Sequence, residues 1–107
     1  AVDAHDPLVR HLKIARAISR ARSALRAVAD SVDLAVLFGS ASCGEDTIGS
    51  DLDLLVVTSD VDRVLAELAR IEGLQPVVLT PSQHMQILAE GGTFAAAVAA
   101  GIRVMGA

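Results

Sequence analysis

The sequence predicts an α/β domain, because short apolar runs typical of strands alternate with longer segments of helical periodicity. Residues 33–38 and 52–58 are the clearest strand candidates, and each is bounded by small or polar residues. Residues 8–29 are the clearest helix candidate, since apolar side chains recur there at spacings of three and four. A chain of 107 residues has the length of one domain with its own core.

The predicted first helix follows Asp6-Pro7, a common start signal. Its apolar face includes Ile14, Ile18, Ala21, Leu25 and Val28. Its opposite face is basic and includes Lys13, Arg16 and Arg20. This basic face is either simply solvated or a docking surface for nucleic acid or an upstream domain. Residues 1–7 are expected to be a linker or a remnant of cloning, and residues 8–107 to form the domain.

Two strands and a polar spacer should follow the first helix. Residues 33–38 form the first predicted strand. The spacer 41–50 is small and polar, with Gly44 and Gly49 as breakers, so a short helix plus a loop is expected there. Residues 52–58 are apolar on both faces, which predicts a central strand covered by helices on at least one side.

The second half of the chain should alternate helices and strands. Helices are predicted over residues 61–71, 81–90 and 95–100, and strands over residues 77–80 and 102–105. Gly73 and the pair Gly91-Gly92 should end the helices that precede them. Pro76 is expected at a strand start or on an edge strand, because it has no N–H for a central ladder.

Composition and charge exclude several classes of protein. The chain is 52% hydrophobic with two Phe and no Trp or Tyr, so its core must be aliphatic. No apolar run approaches the roughly 18 residues of a membrane span, and no signal peptide is evident. The single Cys43 excludes an internal disulfide and favours a cytoplasmic location. Residues 31–107 carry three basic against ten acidic side chains, which argues against broad nucleic-acid binding.

The candidate chemistry lies in residues 37–58, where Asp51 and Asp53 open the second strand. Two carboxylates at positions i and i+2 of a strand point to the same face. They offer the hard oxygen ligands that Mg²⁺ prefers, usually together with substrate phosphates. The pair is therefore predicted to bind a metal ion and to recruit a metal–triphosphate complex. The alternative is structural, since an Asp beside a strand often only caps or solvates its end.

The turn after the first strand is the second part of the candidate site. Gly39 has no Cβ, so the backbone can turn sharply there and approach a ligand closely. Ser40 adds a hydroxyl, and a helix beginning at this point would offer free N–H groups to a phosphate. Ser50 is expected to hold the carboxylate loop or to contact the same phosphates. A Gly-Ser turn after a strand is also common without any function.

Together, Gly39-Ser40, a ten-residue spacer and the run Asp-Leu-Asp-Leu at 51–54 resemble the signature of the nucleotidyltransferase superfamily. The likeness is greatest to the small bacterial nucleotidyltransferase domains. Residues 75–82, Phe94 and residues 102–106 are similar to the tail of such domains where they follow a winged-helix DNA-binding domain in bacterial regulators. The resemblance covers roughly residues 8–106.

The resemblance implies a nucleotidyltransferase-type fold, with a small mixed β-sheet and helices packed mainly on one face. It implies that Asp51 and Asp53 are catalytic and bind Mg²⁺ or Mn²⁺, and that Gly39, Ser40 and Ser50 bind the nucleotide. The partners it implies are a nucleoside triphosphate, an acceptor of unknown identity and an upstream winged-helix domain. Aliphatic surface on the helices would also serve a homodimer.

The chain departs from the superfamily pattern in two places. Active members carry a third carboxylate on the next strand, where it assists deprotonation of the attacking hydroxyl and binds a second metal ion. Here that strand offers Gln75 and Pro76. Many small members also continue the Gly-Ser turn with Ala-Arg-Gly, whereas residues 42–44 are Ser-Cys-Gly, so a cation that would face the phosphates is missing.

Two functions follow from this pattern. The first is Mg²⁺-dependent transfer of a nucleoside monophosphate from a triphosphate to an acceptor hydroxyl. The second is a catalytically weakened module that binds nucleotides or regulates a DNA-binding transcription factor. Such a module needs the carboxylate pair and the Gly-Ser turn but no catalytic base.

Overall fold

The computed structural model describes residues 7–39 and 51–106. The helices are α1 (Pro7–Leu25), α2 (Val61–Ala69), α3 (Pro81–Glu90) and α4 (Thr93–Ala99), the strands are β1 (Val32–Phe38), β2 (Leu52–Thr58), β3 (Leu74–Leu79) and β4 (Ile102–Gly106), and a 3-10 segment (Arg26–Ser31) joins α1 to β1. The spacer 41–50, expected to hold a short helix, lies outside the described residues. None of the helices described is long and apolar enough to cross a membrane.

The four strands form one mixed sheet in the order β3-β2-β1-β4. β1 pairs antiparallel with both β2 and β4, whereas β2 and β3 are parallel. The parallel pair needs a crossover connection, and α2 supplies it. β2 is a central strand and β3 an edge strand, as the apolar run 52–58 and Pro76 predicted. The small mixed sheet and its helices confirm the predicted α/β fold.

One face of the sheet carries the larger part of the core, and we call it the closed face. Its buried strand residues are Ala35, Leu37, Leu52, Leu54, Val56 and Val104. The 3-10 segment, α1 and α2 pack against it through Val28, Ala17, Ala21, Leu25, Val64 and Leu68. Since all of these side chains are aliphatic, the closed face is the aliphatic core that the composition required. The helices therefore pack mainly on one face, as expected.

The opposite face of the sheet, which we call the open face, holds a smaller apolar cluster. Val36 and Leu55 are buried there under Val98 of α4. Several partly buried side chains flank them, namely Leu34, Phe38, Val77, Leu79 and Phe94. No residue of α3 is buried, so α3 adds little cover to either face. Over the described residues, the open face is thus only partly covered by helix.

The long first helix of the sequence prediction is two elements in the structure. α1 ends at Leu25, and Arg26–Ser31 continue as a 3-10 helix. Leu25 and Val28 are both fully buried and lie three residues apart. A spacing of three fits either helix type, so the apolar pattern alone cannot distinguish them.

Two polar side chains, one from β2 and one from α2, form hydrogen bonds with the 3-10 segment. The buried hydroxyl of Thr58 donates to the backbone oxygen of Ser31 at 2.6 Å and accepts from the Asp60 N–H at 3.0 Å. Arg63 of α2 donates to the Ser31 hydroxyl and lies 3.4 Å from the Asp30 carboxylate. Asp60 occupies the N-cap of α2 but makes no side-chain cap hydrogen bond.

Candidate active site

Three residues form a row across the open face. Phe38 is the cross-strand partner of Asp53, and Asp53 is the partner of Gln75 on the other side. Directly opposed residues on neighbouring strands have Cβ atoms about 5 Å apart and contact one another. The register therefore brings an aromatic ring, a carboxylate and an amide together on three adjacent strands, although they are far apart in the sequence.

The alternation of side chains places this row on the open face. Leu52 and Leu54 pack into the core of the closed face, while Leu55 joins the cluster of the open face. Because strand side chains alternate, Asp53 shares the face of Leu55. By the same alternation, Gln75 shares the face of Val77. The row lies where β1 ends and where β2 and β3 begin.

Asp51 joins this row through a side-chain hydrogen bond. It directly precedes β2, and its carboxylate is exposed. The amide nitrogen of Gln75 donates to Oδ2 of Asp51 at 3.0 Å. The backbone N–H of Leu52 also donates to the oxygen of Gly73 at 2.9 Å, which fixes the start of β2 beside the start of β3. Gln75 thus lies opposite one carboxylate and is bonded to the other.

Gly39 closes the other side of the site, at the end of β1. Its φ is +77°, a conformation that other residues adopt only with strain. A Cβ built on Gly39 would collide with the carboxylate of Asp53, lying against Oδ2 and only 3.3 Å from Cγ. Glycine is therefore needed here twice, for the backbone conformation and for the close approach of the chain to Asp53.

The structure brings three of the five predicted site residues together. Gly39, Asp51 and Asp53 all lie at one end of the central strand pair, and Gln75 occupies the place where the third carboxylate was sought. Ser40 and Ser50 lie outside the described residues. The roles assigned to all five residues remain predictions.

The donor atoms at this site fit one hard divalent cation. Asp51 and Asp53 supply carboxylate oxygens, and rotation of the Gln75 amide would add a neutral oxygen. Mg²⁺ is usually held by one or two carboxylates with the substrate phosphates completing its shell. Over residues 7–39 and 51–106, no group of three or more His, Cys, Asp or Glu is placed to hold a metal. The described part of the site therefore suits a single ion whose remaining ligands are supplied by a phosphate.

Sequence reasoning assigned no role to the aromatic side chains beside the site. Phe38 and Phe94 are the only two aromatic residues of the chain. Their rings pack edge to face, with centroids 5.5 Å apart and an interplanar angle of 84°. Their scarcity in an otherwise aliphatic chain was the available signal, but the contact depends on α4 folding back over β1.

Comparison with solved structures shows where this fold occurs elsewhere. A protein of Sulfolobus solfataricus, provisionally described as a nucleotidyltransferase, matches with a TM-score of 0.55 and 19% identity over 73% of this chain and 79% of that one. A mutant of the toxin–antitoxin pair MntA–HpeT, carrying two Asp→Glu replacements two positions apart, matches with a TM-score of 0.50 and 18% identity over 84% of this chain and 73% of that one. At these identities the likeness is one of fold.

Comparison at the level of sequence is more specific. No curated protein matches the chain. The family model of the nucleotidyltransferase domain matches residues 18–84, which is more than half of the chain and includes Gly39, Asp51, Asp53 and Gln75. The chain therefore belongs to the nucleotidyltransferase domain family.

Proposed function

We propose that this domain binds a nucleoside triphosphate through a divalent cation held by Asp51 and Asp53, and transfers its nucleoside monophosphate to an acceptor hydroxyl. The observation that carries the proposal is the row on the open face, where Asp53 lies between Phe38 and Gln75. The Asp53 carboxylate also lies close to Gly39. Membership of the nucleotidyltransferase domain family supports the same chemistry. Mg²⁺ is the preferred ion, with Mn²⁺ as a substitute, because both favour oxygen ligands.

The reaction we propose makes one bond and breaks one. The acceptor oxygen bonds to the α-phosphorus, the bond from that phosphorus to the bridging oxygen breaks, and pyrophosphate leaves. When bound, the cation would polarise the phosphoryl oxygens and offset the charge that develops on them. Asp51 and Asp53 would hold and orient the cation, and the absence of a Cβ at Gly39 lets the chain approach the Asp53 carboxylate closely. The hydroxyl proton passes to solvent, since the amide of Gln75 is not a base.

The relative with paired replacements supports the assignment of the carboxylates. In the MntA–HpeT mutant, the two replaced aspartates are two positions apart, the same spacing as Asp51 and Asp53. A toxin–antitoxin pair also points to a protein acceptor as one class to test. The proposal that Asp51 and Asp53 bind the cation rests on the geometry of this chain itself.

One observation favours the second function, a weakened nucleotide-binding or regulatory module. Gln75 uses its amide N–H to bond Asp51, so the position beside the carboxylate pair holds a donor rather than a third acid. Binding of a metal–nucleotide complex requires the two acids but no base at position 75. A module of this kind would act in the cytoplasm beside an upstream winged-helix domain.

Nucleotide binding with and without metal tests the shared step of both functions. Each triphosphate should bind weakly in chelator and more tightly when Mg²⁺ is added, because two carboxylates form an incomplete cage. Isothermal titration calorimetry should measure this gain, and Asp53→Asn should abolish it. Asp62→Asn, on the exposed start of α2, is the matched control and should keep the gain. Equal affinities in chelator and in Mg²⁺ would overturn the proposal.

Pyrophosphate release separates the two functions. Incubation with each labelled triphosphate, Mg²⁺ and candidate acceptors, including proteins, should give Asp51-dependent release if the domain is an enzyme. Metal-dependent binding without release under these conditions would assign the domain to the regulatory alternative.

A further inference from the structure

The two aromatic rings of the chain occur at the one place where a nucleotide is proposed to bind. Phe38 is the last residue of β1 and Phe94 lies in the first turn of α4. Both are only partly buried, whereas the aliphatic side chains beneath them, Val36 and Leu55, are nearly or fully buried. The rings therefore form the outer layer of the cluster on the open face.

The geometry of the pair leaves ring surface for a ligand. In an edge-to-face contact with an interplanar angle of 84°, the edge of one ring meets a face of the other. Both rings also pack on the aliphatic cluster beneath them, but among the described residues each keeps part of its surface exposed. A planar ligand could therefore stack on this pair without separating the two rings.

The position of the pair relative to the carboxylates matches the shape of a nucleotide. Phe38 is the direct cross-strand partner of Asp53, on the same face of the sheet. The centroid of the Phe94 ring lies 5.5 Å from that of Phe38. In a nucleoside triphosphate, a single ribose joins the phosphates to the base, so an aromatic surface next to the metal ligands is within reach of the base.

We propose that Phe38 and Phe94 form a stacking surface for the base of the bound nucleotide. This inference rests on the proposed function and extends it by naming the residues that would distinguish a nucleotide from a bare triphosphate. Aromatic rings stack with any base, because every base has a π face. All four nucleoside triphosphates should therefore gain affinity from this surface.

The test compares nucleoside triphosphates with inorganic tripolyphosphate, both in Mg²⁺. Tripolyphosphate has the phosphates but no base, so it should bind about tenfold more weakly than ATP if one base stacks on an aromatic side chain. Phe94→Leu should remove most of this difference by weakening ATP while leaving tripolyphosphate unchanged. Phe94→Tyr keeps the ring and should keep the difference. Val77→Ala, a loss of apolar volume in the same cluster, is the matched control and should also keep it.

A fluorescence measurement gives a second readout that does not depend on affinity. The chain has no Trp, so Phe94→Trp introduces a single reporter at the proposed surface. ATP in Mg²⁺ should quench its emission through stacking, and tripolyphosphate at equal occupancy should not.

The outcomes separate this inference from the proposed function. If ATP and tripolyphosphate both bind in an Asp53-dependent way with equal affinity, or if Phe94→Leu leaves their difference intact, the stacking surface is overturned and the metal–phosphate site stands. If neither ligand binds in Mg²⁺, both proposals are overturned. Circular dichroism of Phe94→Leu and Phe94→Tyr should match that of the parent chain, and Phe94→Trp covers the case in which the leucine variant does not fold.

Discussion

The two faces of the sheet use the same strands for different purposes. On the closed face, Leu52 and Leu54 of β2 are buried beneath α1 and α2 among aliphatic side chains only. On the open face of that strand, Asp53 lies between Phe38 and Gln75, and Leu55 and Val57 farther along are buried. Successive residues of one strand thus serve the core and the candidate site in turn.

This difference explains how a small domain can hold two acids at the start of a central strand. A carboxylate on the closed face would have to be desolvated among aliphatic side chains, which costs several kcal/mol if it is unpaired. At the start of β2 on the open face, Asp51 remains exposed and Asp53 only partly buried. The closed face supplies the rigid strand, and the open face keeps its acids within reach of solvent and ligand.

The largest effect is expected from giving the open face a third acid. Gln75→Asp would place a carboxylate opposite Asp53, where a base can assist the attacking hydroxyl. Positioned general bases typically contribute about 10²–10⁴-fold, so pyrophosphate release should rise within that range. The assay is release with Mg²⁺, a triphosphate and an acceptor, and the gain should be lost when Asp51→Asn is added.

The matched control for this variant is Gln75→Asn. It shortens the side chain to the same length as Asp but keeps a neutral amide, so release should stay at the parent rate. Since the parent chain has no acid at position 75, its own release should be slow. Rapid, Asp51-dependent release by the parent chain would contradict this and would indicate that another segment or a partner chain completes the site.

The second largest effect should come from truncation on the closed face. Leu54 is fully buried, so Leu54→Ala should lower the free energy of unfolding by about 3 kcal/mol, within the usual range for buried leucines. Phe94→Leu on the partly covered open face should cost less than about 1.5 kcal/mol, because it replaces one apolar side chain by another. Urea denaturation of both variants measures the contrast. Equal losses would mean that the open face contributes to stability as strongly as the closed face.

A smaller effect is expected at the turn that borders the site. Gly39→Ala would strain a backbone with φ of +77° and press a Cβ against the Asp53 carboxylate. Gly91 has nearly the same φ, +70°, with nothing within 4 Å of its Cβ position, so Gly91→Ala measures the backbone strain alone. The strain should cost about 1–2 kcal/mol at both positions, and the contact with Asp53 should add about 1 kcal/mol at Gly39.

A double-mutant cycle sharpens this comparison. In an Asp53→Ala background the carboxylate is absent, and Gly39→Ala should then cost no more than Gly91→Ala. If the extra cost persists in that background, the close approach of Gly39 to Asp53 is not its cause.

The smallest effect is expected at the exposed ion pair beside the closed face. Arg63 and Asp30 lie 3.4 Å apart, but their side chains are 44% and 74% exposed. Solvent screens such a pair, so Asp30→Asn should change the free energy of unfolding by less than about 0.5 kcal/mol. Urea denaturation at 50 mM and 1 M NaCl should show that even this difference disappears in high salt. A loss above 1 kcal/mol that survives high salt would contradict this assignment.

Most elements of the fold could be predicted from local patterns, and the differences have physical reasons. The strand 52–58 and the helix 81–90 were predicted where the structure has β2 and α3. An apolar run and a Pro at the first position of a helix are local signals. β3 was expected only from residue 77, yet it begins at Leu74. Its first residues join the sheet by parallel pairing with β2, which depends on a partner more than twenty residues away.

The candidate site also has one part that could be predicted from the sequence and one part that could not. The carboxylate pair and Gly39 could be predicted because their spacing is short and their residue types are specific for the chemistry. The hydrogen bond from Gln75 to Asp51 and the contact between Phe38 and Phe94 depend on strand register and on the return of α4 over the sheet. A local pattern indicates which face of a strand is buried, but not which residue of a distant strand lies opposite or where a helix returns over the sheet.

Pro76 disfavours the addition of a further strand at the outer edge of the sheet. It lies within β3, which among the described strands has a neighbour on one side only. A strand added from another copy would meet a residue without an N–H, so an unbroken hydrogen-bond ladder could not form along this edge. Exposed sheet edges are the usual starting points of such strand addition and of aggregation. Copies of this domain that associate should therefore do so through other surfaces and leave β3 at the edge of each sheet.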